Sequence, residues 1–342
     1  MSNVRFCKFL LSVLLIFLFS SFRLIASTES NEFQELIKNL AISECLIGSR
    51  YEEGRGVDRN YLEAVKWYRK SADLGNARAQ FCLGAMYANG RGVLKDEVKA
   101  VEWYRMSANQ GYSAAQYNLG VMYEKGSGVV MRDRGEAVKW YRKAAEQGHA
   151  SAQYNLGVSY QNGDGVEQNL SEAVKWFRRS AEQNDITAQA KLGAMYATGS
   201  GVAQDEVEAL KWIRRAAENG EVTSQILLGV MYATGQIVTQ DYREAVKWYK
   251  RAADQNNPIA QFNLGFIYAN GCGVIKNDVE AINWYRKSAE QGYAQAQFNL
   301  GFMYANGRGV EKDEYEAVRW LRKAAAQGNE KAKMVLKRLG FE

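Results

Sequence analysis

The chain has 342 residues, 47% of them hydrophobic and 24% charged, which excludes a disordered tail and leaves a soluble, core-forming sequence. Formal net charge is +6; removing Arg5, Lys8 and Arg23 would take away three positive charges and leave +3. With no Lys/Arg run and no basic patch interleaved with aromatics, nucleic acid is not an expected partner.

In chain order, the N-terminus reads as a targeting segment. Arg5 and Lys8 form a positive start, Phe9 to Phe19 is apolar apart from Ser12, and small residues follow at Ala26 and Ser27. A signal peptide over residues 1–27, cleaved after Ala26 or Ser27, is expected. The alternative is an uncleaved anchor running through Ile25 with Arg23 snorkelling at its end. Either form puts the rest outside the cytosol, in a periplasm, secreted or membrane-anchored. No later segment is apolar enough to span a membrane. Residues 28–40 are expected to form a lead-in helix or cap.

From there self-similarity governs. Trp67, Trp103, Trp140, Trp176, Trp212, Trp248, Trp284 and Trp320 follow each other at 36 residues, with one step of 37 where the loop Met131 to Gly135 carries an extra residue. Gly48, Gly84, Gly120, Gly157, Gly193, Gly229, Gly265 and Gly301 make a second register, and Tyr51 to Tyr304 a third. Residues 41–328 thus hold eight 36–37-residue helix-turn-helix repeats. In the second, helix A is predicted from about Ala77 to Asn89, with Gln80, Leu83 and Tyr87 on one face. Gly84 within it costs about 1 kcal/mol against Ala and must admit a close helix B. The loop Gly90-Arg91-Gly92-Val93 turns the chain. Helix B opens on Asn60, Asp133, Asn169, Asp205, Asp241, Asn277 or Asp313, each followed three residues later by a glutamate, which predicts a capping box. Asp96, with Lys99, lacks it. Gly111 ends helix B, and Asn184 or Asn256 can stand in for such a glycine.

Residues 329–342 are expected to form a C-terminal capping helix, with Lys333 and Lys337 in place of the Gln and Gly and Leu336 in the buried position. A lone hairpin cannot bury its Leu, Tyr and Trp, so the repeats must stack, and the fold class is all-α, an α-solenoid. The tryptophans, spaced with alanines, are assigned to the repeat core.

The pattern A-x-A-Q-x-x-L-G-x-x-Y-x-x-G-x-G-V followed by E-A-V-K-W-Y-R-K-A-A-E-Q-G resembles the Sel-one-like repeat family, relatives of tetratricopeptide repeats, over about Ile42 to Leu339. One departure is Gly235-Gln236-Ile237, where the second loop glycine is lost. The resemblance implies a right-handed superhelix and scaffold or adaptor work: assembly of membrane-protein or cell-wall complexes, quality control, signalling or host contact. By the same analogy the A helices line a concave groove. Asn118, Asn155, Lys191, Asn263 and Asn299 precede the Leu-Gly pair there, with Lys125, Asn162, Thr198, Asn270 and Asn306 seven residues on. Amides carry both donors and an acceptor, so these positions are candidates to hold an extended peptide of a partner protein, although bonding to a neighbouring repeat would explain them as well. Leu46, Cys82 and Leu227 break the ladder.

The expected function is therefore a non-enzymatic protein-binding scaffold, monomeric and without cofactor or metal. The alternative is a cell-wall or β-lactam-binding or -hydrolysing enzyme of a disulfide-rich branch, whose paired cysteines are missing here. Cys7 falls in the leader. Cys45 and Cys82 sit on adjacent A helices, either as a disulfide or as two small buried hydrophobes. Cys272 is expected to be an exposed loop thiol and His149, the single histidine, an exposed loop residue. Glu52 and Glu53 read as surface charge.

Overall fold

The computed structural model describes residues 31–128 and 130–341, so the leader expected over residues 1–27 lies outside the described residues. All regular structure among them is α-helical. The chain divides into two compact units, one up to Gln168 and one from Asn169. The first holds α1 (31–53), α2 (Tyr61–Asp73), α3 (Ala77–Asn89), α4 (Glu97–Asn109), α5 (Ser113–Lys125), α6 (Arg134–Glu146) and α7 (Ala150–Asn162). The second holds α8 (Leu170–Glu182), α9 (Ile186–Thr198), α10 (Glu206–Glu218), α11 (Val222–Thr234), α12 (Tyr242–Asp254), α13 (Pro258–Asn270), α14 (Asp278–Glu290), α15 (Ala294–Asn306), α16 (Glu314–Ala326) and α17 (Glu330–Arg338). Odd-numbered helices up to α15 are A helices and even-numbered ones B helices. Within each unit every helix packs on the next, as an α-solenoid requires.

The glycine register marks where A meets B. A Cβ on Gly84 would lie 2.8 Å from the Tyr104 ring, and one on Gly120 2.7 Å from Tyr141. In the second unit Gly193 meets Ile213, Gly229 meets Tyr249 and Gly265 meets Tyr285 in the same way. The preceding leucines, Leu83 through Leu300, are fully buried. Trp176, Trp212, Trp248 and Trp320 are buried, while Trp67, Trp103, Trp140 and Trp284 are half-buried. Lys or Arg three residues on lies over the ring in most copies, as Lys143 does 4.0 Å above Trp140.

The B-helix caps differ from the expected box. Asn60 accepts from the Glu63 N–H at 3.1 Å, as predicted. The N–H of Asn60, however, donates to the Tyr51 carbonyl at 2.8 Å, and the same bond recurs from Asp96 to Tyr87 and from Asp241 to Tyr232. With that donor already satisfied, the glutamate turns away: Glu63 pairs with Lys66 at 2.6 Å, Glu172 with Lys175 and Glu208 with Lys211. Even Asp96, outside the box pattern, caps its helix through the Lys99 N–H.

Neighbouring repeats are joined by polar bonds as well as by burial. Gln80 donates to the Ala72 carbonyl of the repeat before and accepts from Gln110 at the end of its own helix B. Gln225, Gln261 and Gln297 accept likewise from Gln255, Gln291 and Gln327. These buried amides both donate and accept, and the bonds offset the cost of burying a glutamine there. Arg142 donates to the Tyr160 hydroxyl at 2.8 Å, Arg214 to Tyr232 and Arg286 to Tyr304, each reaching the next repeat.

Beyond the first repeat, the second glycine of the A–B loop has a positive φ and lies on the preceding B helix; a Cβ on Gly165 would be 2.2 Å from the Arg134 carbonyl. Ile237 occupies this position in the sixth repeat and still adopts φ 67°, a left-handed conformation that a β-branched residue enters only under strain. Asn184 and Asn256 take φ 69° and 61° where other B helices end on glycine. At the C-terminal end, Ala332 and Leu336 of α17 are buried and Lys333 and Lys337 exposed.

Candidate functional site

Chemistry available for recognition lies on the A helices. Asn118 and Asn155 are half-buried on α5 and α7, and Asn263 and Asn299 half-buried on α13 and α15, while Lys191 on α9 is exposed. Three of these amides lie against a hydroxyl of the repeat before: Asn118 against Tyr104, Asn155 against Tyr141 and Asn299 against Tyr285. Cys82 stands in the same relation to Tyr68. The sequence carries a matching correlation. Where helix B offers Tyr68, Tyr104, Tyr141, Tyr249 or Tyr285, the ladder residue is Cys82, Asn118, Asn155, Asn263 or Asn299. Where it offers Phe177 or Ile213, the ladder residue is Lys191 or Leu227.

The second stripe is also engaged. Asn270 donates to the Phe266 carbonyl at 2.8 Å and Asn306 to the Phe302 carbonyl at 2.7 Å, while Thr198 donates to the Ala194 carbonyl. These bonds satisfy carbonyls at the helix ends. Asn162 lies 3.4 Å from Asp164, and Lys125 is exposed. In Asn270 and Asn306 one N–H is used, and the second N–H and the carboxamide oxygen remain.

Several side chains have roles the sequence did not reveal. Glu52, expected to be surface charge, is half-buried and accepts from the Tyr68 hydroxyl at 2.6 Å; Glu124 does the same for Tyr141. His149 is not an exposed loop residue but the half-buried N-cap of α7. Its Nδ1 accepts from the Ala152 N–H at 3.3 Å, and its ring stacks on Tyr117 at 4.8 Å. Burial pushes its imidazole below the ordinary histidine value. Cys45 is buried and Cys82 and Cys272 half-buried, all three as free thiols. Burial raises the Cys82 thiol to about 12, so it is held protonated and inert. Cys272, expected to be exposed, packs against the core around Leu264.

The residues that reasoning on the ladder missed are Phe266 and Phe302. They follow Gly265 and Gly301, and they are 48% and 42% exposed. At the same position the other repeats carry Ser49, Ala85, Val121, Val158, Ala194 and Val230. With Asn270, Asn299, Arg308 and Lys331 these phenylalanines line a cavity of about 350 Å3 that has no carboxylate in its wall. Two of the ladder amides, Asn270 and Asn299, are thereby brought to one place. Arg308 is bidentate to Asp278, at 2.7 and 3.4 Å, and its guanidinium holds the Asp278 carboxyl below the usual range. Lys331 has no ion-pair partner among the described residues.

Among the described residues no three His, Cys, Asp or Glu converge as metal ligands, and no helix is long and apolar enough to cross a membrane. The Sel1 repeat family model matches residues 41–76, 77–112, 113–149, 150–185, 186–221, 222–257, 258–293 and 294–329. A search of curated proteins gave no match. Among solved structures, the chain is similar to a protective antigen present in uropathogenic Escherichia coli strains that displays an SLR fold. Identity is 38%, with 90% of this chain and 67% of that one covered and a TM-score of 0.85. It is also similar to a Sel1 repeat protein from Oxalobacter formigenes, 35% identical, covering 90% of this chain and 89% of that one, at a TM-score of 0.65. Eight matched repeats spanning most of the sequence mean that the chain belongs to the Sel1 repeat family, whose members generally act as protein-interaction scaffolds.

Proposed function

We propose that the protein is a non-enzymatic adaptor, exported from the cytosol, that holds an extended segment of a partner protein along its A helices. The observation that supports this is a contrast within each A helix. The buried Gln, Leu and Gly recur from copy to copy, whereas the positions flanking them vary: Leu46, Cys82, Asn118, Lys191 and Leu227 on one side, Ser49, Ala85, Val121 and Phe266 on the other. Stacking requires the first set, and the ladder position follows the helix B residue it meets; no contact in the stack requires the residue after the glycine to change from Ser, Ala or Val to Phe, and a surface that differs along its length can select one partner. Asn118, Asn155, Asn263 and Asn299 anchor the segment, with Lys125, Asn162, Lys191, Asn270 and Asn306 beside it. The enzyme alternative draws no support from Cys45, Cys82 and Cys272, which are free thiols rather than a paired framework.

A quantitative pull-down tests this reading. It compares the mature protein with an Asn118→Ala/Asn155→Ala/Asn263→Ala/Asn299→Ala version whose helicity is first checked by circular dichroism. A partner held by the first and lost by the second is expected. Recovery of the same partner by both would move binding off these amides, and recovery of nothing by either would overturn the adaptor reading. Export is checked by intact mass: a chain beginning at Ser27 or Thr28 is expected, and a full-length chain in the cytosol would contradict it.

A further inference from the structure

We propose that the cavity between α13, α15 and α17 is the anchoring site for an acidic partner segment, taking one bulky apolar side chain between Phe266 and Phe302 and an adjacent carboxylate at Lys331. This rests on the adaptor reading and specifies the chemistry of its partner. Three independent features lead to it. The first is the change of residue at one register position. Six repeats place a small or β-branched side chain after the Gly, and only the seventh and eighth place phenylalanine there. No demand of stacking produces the change, because Leu264 and Leu300 are buried in the same way as Leu83 or Leu119. A ring left about half in water forgoes much of the roughly 1.5–3 kcal/mol that burying it would give, and a ligand side chain covering both rings would recover it.

The second feature is charge. The cavity wall contains Arg308 and Lys331 and no Asp or Glu. Arg308 is committed to Asp278, which leaves Lys331 on the exposed side of α17 as the cation without an ion-pair partner among the described residues. The third is hydrogen-bonding polarity. Asn270 places one N–H on the Phe266 carbonyl, which fixes its amide; the second N–H and the carboxamide oxygen are left for the backbone of an extended segment. An apolar slot, a cation and a carboxamide together fit a peptide in which a large aliphatic or aromatic residue neighbours Asp or Glu. The chain's own residues 1–27 do not fit, since they carry Arg5, Lys8 and Arg23 and no acid.

The test uses fluorescence anisotropy with the mature protein and a short fluorescein-labelled peptide of leucines alternating with glutamates. Two control peptides carry lysine for glutamate or serine for leucine. Tighter binding of the glutamate–leucine peptide than of either control is expected. Phe266→Val/Phe302→Val, which installs the side chain of the third, fourth and sixth repeats, should weaken it about tenfold or more. Lys331→Glu should weaken the acidic peptide comparably and favour the lysine version. Equal binding of acidic and basic peptides, or indifference to all these substitutions, overturns the proposal. If that happens while the pull-down partner still depends on the four ladder amides, the adaptor reading stands without this site; if no peptide and no partner is held, both fall. Self-association abolished by Phe266→Val/Phe302→Val, without peptide binding, would assign the cavity to a second copy and overturn the proposal too.

Discussion

The third and seventh repeats share a skeleton and present different faces. Ala115, Gln116, Asn118, Leu119 and Gly120 of α5 match Ala260, Gln261, Asn263, Leu264 and Gly265 of α13, residue for residue. Beyond the glycine they part. In the third repeat Val121 is half-buried and Glu124 takes the Tyr141 hydroxyl, so the face is closed by a polar bond. In the seventh, Phe266 is half-exposed and Ala269 replaces the glutamate. Tyr285, raised to about 12 by burial, keeps only the Asn299 amide, where Tyr141 has both Asn155 and Glu124. The glutamate-to-alanine change opens the space that the phenylalanines line, since Ala269 and Tyr285 both contribute to that cavity. One buried framework can therefore carry unrelated surfaces, which is the property an adaptor built from repeats needs.

Substitutions can break or sharpen this contrast. The largest effect belongs to the shared skeleton: Trp176→Ala removes a ring that is 8% exposed and should cost about 3–5 kcal/mol in urea unfolding. An unchanged midpoint would put the ring outside the core. Next, Glu124→Ala gives the third repeat the residue of the seventh and strips Tyr141 of its acceptor. A loss of about 1–1.5 kcal/mol is expected, checked by thermal unfolding. Ile237→Gly has the opposite sign. It relieves a left-handed β-branched residue and should stabilise by about 1 kcal/mol, less the entropy that glycine returns to the unfolded chain.

The smallest effect is set by pH. His149 has its imidazole lowered by burial, so the unfolded chain takes up a proton that the folded one resists. Its contribution is complete above the ordinary value of 6.5 and is lost as pH falls from there through the lowered folded value. His149→Asn, the cap that α3 and α13 use, should flatten that decline, by less than about 1 kcal/mol between pH 7 and 5. An equally steep decline in the variant would remove His149 from the account.

What the sequence made legible was whatever eight copies repeat: the helix pairs, the glycine contact, the asparagine substitutes at Asn184 and Asn256. Single positions were harder. The capping box failed in its second half because a backbone carbonyl, that of Tyr51 and its equivalents, already occupies the donor that Glu63 would have reached. A carbonyl on the preceding helix, across the loop, is invisible to a four-residue motif. Glu52 looked like surface charge because its partner, Tyr68, is sixteen residues on and across a helix pair. The ladder asparagines were seen and bonding to a neighbouring repeat was held open; their partners Tyr104, Tyr141 and Tyr285 were not identified. Phe266 and Phe302 were not singled out, since periodicity alone does not tell an inward ring from an outward one. Their signal lay in departing from the other six copies.

The most direct test of a framework separable from its face uses two adjacent residues of one helix. Urea unfolding would compare Gly265→Ala, whose Cβ would meet the Tyr285 ring at 2.6 Å, with Phe266→Val. Alanine is the better helix former by about 1 kcal/mol, yet Gly265→Ala should destabilise by about 1–3 kcal/mol because the ring has to move. Phe266→Val should stay within about 0.5 kcal/mol of the parent while peptide binding falls. A Phe266→Val loss as large as that of Gly265→Ala would mean the ring is part of the framework and that framework and face are not separable.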